Sequence, residues 1–215
     1  AANAGGQSFP AEVVGCRRAS NQADQRVLVV NAFSRLDRFT NLRQTPSATN
    51  WNPPGNSGTM DRILPRSNNS FDYVVPHGLA IDAANMAFDS CGRMAVTNGT
   101  IKLTNYTVVV WAAGQELINT IDSTAQNLIT AFLSTGRGLF VSGSEIAGNL
   151  GRVSSPAASK LFLQNQLHAT LASDSNTNSQ SYTVTAVGGT IFNGIASATI
   201  DNGTKGIYWV KSPEV

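Results

Sequence analysis

The stretch YTVVVWAAG, residues 106–114, decides how the rest of the chain is read. Its apolar run shows no polar alternation, the mark of a strand buried on both faces rather than one with a wet side. After GQE comes DSTAQNLITAFLSTG, residues 122–136. An acid or hydroxyl stands at the cap, Leu128, Ile129, Phe132 and Leu133 recur at helical spacing, and Gly136 supplies the stop. A buried strand leading into an amphipathic helix is one β-α unit of a parallel sheet.

The same unit recurs on either side. RVLVVNAF (residues 26–33) is a short β-branched run and reads as the first core strand. YVVPHGLAIDAANM (residues 73–86) carries a helix whose start is disturbed by Pro76 and Gly78, followed by a short extended AFDSC. GLFVSGS (residues 138–144) is another buried strand, and SPAASKLFLQNQLHATL (residues 155–171) another helix with Pro156 in its first turn. Alternation of this kind implies right-handed crossovers. The expected fold class is therefore α/β: a three-layer, open, mainly parallel sheet with helices on both faces. The tail pieces SYTVTAV, IFNGI, ATIDNG and GIYWV are strand-like and joined by Gly-rich turns, so a β-rich C-terminal tail is expected. Residues 34–70, with NPPGNSG and no sustained apolar period, read as a long loop and a candidate lid or partner surface.

Composition narrows the function classes. The 215 residues carry a formal charge of +2 and only 13% charged side chains, too few for the basic face of a nucleic-acid binder. No apolar run reaches the roughly 18 to 20 residues that cross a bilayer, so no membrane span is expected. Low charge with many Asn, Ser, Thr, Ala and Gly favours a secreted protein. The first residue, Ala1, reads as a sign of processing or of excision from a longer chain. Sequons begin at Asn68, Asn98, Asn105 and Asn202. Cys16 and Cys91 lie too far apart for a CxxC pair; a disulfide and two free thiols both remain open.

In open parallel sheets ligands bind past the carboxyl ends of the strands, which directs attention to residues 31–35, 89–91, 114–116 and 142–145. Ser144 follows Gly143 on an expected strand-to-helix turn, as a nucleophile would, although the next glycine, Gly148, is too distant for the usual elbow pattern. A serine nucleophile needs a base and an orienter. His77 and His168 are the only histidines; Glu116, Glu145 and Asp89 are the candidate carboxylates. Arg35, Asp89, Gln115 and Trp51 are candidate ligand contacts, Trp51 as a stacking surface for a sugar. No spacing of these residues pre-assembles a metal site and no glycine-rich phosphate loop follows the first strand, so no cofactor is expected.

Two resemblances bear on this reading. AANAGGQSFPAEVVGCR (residues 1–17) resembles the last strands of a fibronectin type III module, with a Gly-Gly turn before S-x-P-x-E-V; residues 1–18 are then the end of such a module, or an ordinary N-terminal β segment, and 26–215 the α/β domain. The succession VLVVNAFSR, FDSC, YTVVVWAAGQE, GLFVSGSEIAGNL and FLQNQLHA resembles a domain of large secreted bacterial proteins that carry fibronectin type III modules and are often labelled N-acetylmuramoyl-L-alanine amidase or xanthan lyase. At superfamily level the resemblance implies a flavodoxin-like or class I glutamine amidotransferase-like fold. Where that fold often carries a nucleophilic Cys this chain has Ser144, and the His-x-Glu pair of the amidotransferases is missing. Two functions follow as expectations: a serine-type hydrolase, amidase or esterase-like, acting on a cell-wall or polysaccharide linkage, or a non-catalytic glycan-binding or assembly module. A glycan or cell-wall polymer and neighbouring domains of the same chain are the expected partners.

Overall fold

The computed structural model describes residues 15–18, 26–33, 73–114, 116, 118–143, 145–172 and 185–197 in full, and the backbone of six short strands outside them. In chain order the elements are β1 (Asn3–Ala4), β2 (Gln7–Ser8), β3 (Arg26–Asn31), β4 (Leu42–Gln44), β5 (Met60–Arg62), α1 (Val74–Ala83), β6 (Ala87–Gly92) and α2 (Arg93–Thr97). A 3-10 turn (Leu103–Asn105) leads into β7 (Val108–Gly114), α3 (Ser123–Leu133), β8 (Gly138–Gly143), α4 (Ile146–Gly151), α5 (Ala157–Gln166), β9 (Tyr182–Val184) and β10 (Ala198–Ile200).

The core is a four-stranded, all-parallel sheet in the order β6-β3-β7-β8, so the chain forms an α/β fold. The chain moves outward from β3 to β6 through α1, then crosses back over β3 to β7 through α2 and on to β8 through α3. Crossovers of one hand that move in opposite directions put their helices on opposite faces. The packing follows that rule. On one face Val27, Val29 and Val110 pack with Val74 of α1; on the other Leu28, Val30, Val109 and Trp111 pack with Val96 of α2, Ile129 and Phe132 of α3, Leu150 of α4, and Phe162 and Leu163 of α5. The strands all run one way, but the direction in which successive strands are added reverses at β3, so the crevice between the carboxyl ends of β3 and β7 is the switch point where such sheets place ligands.

Local chemistry accounts for the ends of these elements. Asp122 caps α3, its Oδ1 accepting the Ala125 N–H at 2.9 Å. Asp122→Ala is expected to cost about 1 kcal/mol, read as a lower midpoint in urea unfolding with an unchanged slope. Pro76 sits within the first turn of α1, where no intrahelical bond is lost. Gly78 lets α1 press onto β6: a Cβ there would stand 2.7 Å from Cζ of Phe88.

Tyr106 bridges to β6, its hydroxyl donating to Asp89 Oδ2 at 3.0 Å. Burial, and after it the hydrogen bond to Asp89 and that carboxylate's charge, push the phenol up to about 12. The folded value lies above the unfolded one of about 10, so this stabilisation is complete below pH 10 and is lost as pH rises toward 12. Tyrosinate absorbance should show one late-titrating tyrosine that is absent in Tyr106→Phe.

Residues 34–70, expected as loop, contain β4 and β5, which pair antiparallel. The ends of this excursion meet, since Phe33 and Tyr73 stack edge to face with ring centroids 5.5 Å apart. β1 pairs with β2 as an antiparallel hairpin, and β9 with β10 in the same way.

Candidate functional site

Register fixes what the carboxyl edge presents. A bulge at the end of β7 brings Gly114 opposite Gly143 after Ala112 has paired with Ser142. Two residues beyond this glycine pair, just past the ends of the two adjacent strands, stand Glu116 and Glu145, only 6% and 3% exposed. Asn31 closes β3 at the same edge, opposite Ala112 of β7, and is also buried. Glu145 occupies the cap position of α4 without capping it; its Oε2 accepts from Arg152 Nη2 at 2.8 Å instead, at the far end of the same short helix.

A polar network braces this edge from below. The Trp111 indole N–H donates to the Thr120 carbonyl at 3.0 Å, the Thr120 N–H and hydroxyl both reach Asn149 Oδ1 at 3.1 Å, and Ser155 Oγ donates to the Asn149 carbonyl at 2.8 Å. Gln126 Nε2 donates to the Ile121 carbonyl and to Ser159 Oγ. Trp111, Thr120 and Gln126 are buried and Asn149, Ser155 and Ser159 partly so, and their bonds to one another brace the loops after β7 and β8.

The expected site residues separate. Ser144, Gln115, Trp51 and Arg35 lie outside the described residues. Asp89 stands in the middle of β6, opposite Leu28, rather than past the strand end. His168 is drawn to the other end of the sheet. It follows the last turn of α5 with φ 51°, a left-handed residue that ends the helix, and the next N–H, of Ala169, returns to the Leu163 carbonyl at 3.2 Å. With Thr130, Leu133, Ser134 and Gln166 it lines a shallow cavity of ≈ 380 Å³ between the C-terminal ends of α3 and α5. Since α3 runs back from the carboxyl edge to the start of β8, this cavity and the two glutamates are separated by the length of a six-residue strand, about 20 Å.

His77 lies on the α1 face, edge-on to Phe140 of β8 with ring centroids 6.2 Å apart. Burial lowers its pKa. The neutral ring is the favoured form, so its stabilisation is present above pH about 6.5 and is lost as pH falls through the depressed folded value. Melting temperature is expected to fall on acidification from pH 7 more steeply for the wild type than for His77→Leu.

Cys16 is exposed and Cys91 is buried, and the two do not form a disulfide. Among the described residues no group of three or more His, Cys, Asp or Glu is arranged to hold a metal ion, and no helix is long and apolar enough to cross a membrane. Sequence reasoning missed Arg152, Thr120 and Asn149. Only the E-x6-R spacing, two helical turns from Glu145 to Arg152, could have signalled the ion pair. Comparison with known proteins found no match, whether to a family model, a curated protein or a solved structure.

Proposed function

We propose that the chain is a non-catalytic, glycan-binding module of a secreted multidomain protein, built on a flavodoxin-like sheet. The order β6-β3-β7-β8 supports that fold: in sequence order of the core strands it runs second-first-third-fourth, as in flavodoxin-like sheets. Low charge and the fibronectin-like opening support an extracellular setting. The observation that carries the non-catalytic reading is the ion pair between Glu145 and Arg152. The carboxylate nearest Ser144 in sequence serves a guanidinium rather than an imidazole, and His168 caps a helix at the opposite end of the sheet. Glu116 and Asn31, at the ends of β7 and β3 near the switch point, add carboxylate and amide chemistry of the kind that recognises sugar hydroxyls.

Affinity electrophoresis in gels cast with soluble cell-wall polysaccharides tests this. Retardation of the wild type, weakened at least tenfold by Glu116→Gln, is the expected result. No retardation in any polymer overturns the reading, as does release of new reducing ends or amines that stops in Ser144→Ala.

One observation favours the hydrolase reading. His77 is held neutral, as a base must be, on the sheet face that also bears Ser142, two residues before Ser144. Covalent labelling by a serine-reactive fluorophosphonate, lost in Ser144→Ala and slowed in His77→Gln, would establish it; an unlabelled wild type removes it.

A further inference from the structure

The outer edge of β6 is met by the chain itself. Arg17 and Phe88 face each other as an antiparallel pair, the Arg17 N–H donating to the Phe88 carbonyl at 2.8 Å and the Phe88 N–H to the Arg17 carbonyl at 3.1 Å. At Gly15 a side chain takes over from the ladder. The Gly15 N–H donates to Ser90 Oγ and that hydroxyl donates to the Gly15 carbonyl, each at 2.7 Å. The outward N–H and C=O groups of an edge strand are open to any extended chain, and at Phe88 the occupant is the segment 15–17.

The Arg17 side chain reaches three acceptors set out by the end of α1. Asn85 takes the left-handed φ of 59° and closes a Schellman stop, in which the Met86 N–H returns to the Ile81 carbonyl at 3.1 Å and the Asn85 N–H to the Asp82 carbonyl at 2.8 Å. That turn brings oxygens of three residues to one guanidinium. Arg17 Nη1 donates to the Met86 carbonyl at 2.8 Å, Nη2 to Asn85 Oδ1 at 2.6 Å, and Nε meets Asp82 Oδ1 at 2.5 Å. All three guanidinium nitrogens are engaged, and a cation at a helix C-terminus stands at the favourable end of the dipole. The Asp82 side chain is 58% exposed, so the ion pair alone contributes little. Selectivity comes from the planar fork, which a lysine ammonium lacks.

We propose that Asp82, Asn85 and Met86 form an arginine-binding site beside the β6 edge, and that Arg17, its resident occupant, latches the N-terminal segment onto the α/β domain. The ligand class is an extended peptide that carries an arginine: the edge at Phe88 and Ser90 takes its backbone, and the end of α1 takes its guanidinium. The latch is local. Arg17, Asp82 and Asn85 stand outside both core clusters, so opening it disturbs few apolar contacts and does not require the sheet to unfold. Loss of the guanidinium frees the segment and, with it, the β6 edge.

Native-state hydrogen exchange on the full chain tests this. In the wild type the Phe88 N–H is expected to exchange through a local opening that low urea does not speed, while the amides of β3 and β7 follow global unfolding. Asp82→Ala combined with Asn85→Gly dismantles the site but keeps Arg17 and the positive φ. It should speed Phe88 exchange about tenfold or more, with trypsin cleavage between Arg17 and Arg18 rising in step. Arg17→Lys should speed Phe88 exchange in the same way. In Arg17→Ala the site is empty, and a reduced peptide of residues 13–18 should restore protection at Phe88 once it exceeds the roughly millimolar effective concentration of a tethered segment. The same peptide with citrulline for its first arginine should not. Unchanged Phe88 exchange in the site variant, a loss of protection shared equally by β3 and β7, or restoration by both peptides or by neither overturns the proposal.

Discussion

Trp111→Ala is expected to lower stability by about 4–5 kcal/mol, enough to leave the chain largely unfolded at 37 °C or to reduce its melting temperature by more than ten degrees. Trp111 is fully buried in β7, at the centre of the larger core cluster, against strands and helices on its side of the sheet. Truncation removes the largest side chain there and opens a cavity that rigid neighbours cannot fill. It also strips the Thr120 carbonyl of its indole donor. Trp111→Phe separates the two contributions: the ring volume is largely kept, and the lost hydrogen bond should cost about 1–2 kcal/mol. Urea unfolding followed by far-ultraviolet circular dichroism reads both variants. Equal losses for Phe and Ala would show that the hydrogen bond, not packing, dominates.

The second large effect concerns Arg152. Glu145 is nearly inaccessible whereas the Arg152 side chain is about one third exposed, so removing the arginine takes the opposing charge away from the more buried partner. Arg152→Met is expected to cost about 2–3 kcal/mol, most of it the desolvation of the carboxylate left behind. Glu145→Gln placed on top should recover more than half of that loss, because the neutral amide needs no opposing charge. A double-mutant cycle on the four proteins gives the coupling directly. Additive losses would mean that the two side chains are neighbours without an energetic bond.

Much of this fold could be read from the chain. β3 and β7 announce themselves because burial on both faces leaves no room for polar alternation, and α3 because its cap, its apolar spacing and its glycine stop agree. β8, read as another buried strand, is instead an edge strand with none of its residues fully buried and Phe140 48% exposed. Shorter elements were silent. β4 and β5, at three residues each, are too brief to show a period, and α4, at six, is specified by contacts with α5 rather than by its own composition. The site divides in the same manner. Strand ends place Glu116 and Glu145 correctly at the carboxyl edge. Their partners depend on where separate segments meet in space, as with Thr120 and Asn149, or Tyr106 and Asp89. His168 shows the limit from the other side, since its left-handed backbone, which makes it a helix stop, leaves no mark in the residue type.

The edge-to-face stack of Phe33 on Tyr73 carries a consequence for how this chain tolerates rearrangement. It joins the two ends of residues 34–72 at a fixed distance, so the four core strands receive the same boundary condition whatever length of chain lies between those rings. Closure entropy grows only with the logarithm of that length. The junction is therefore a natural place to excise the segment, to splice in a foreign one, or to open new termini for a circular permutant, with the parallel sheet none the wiser.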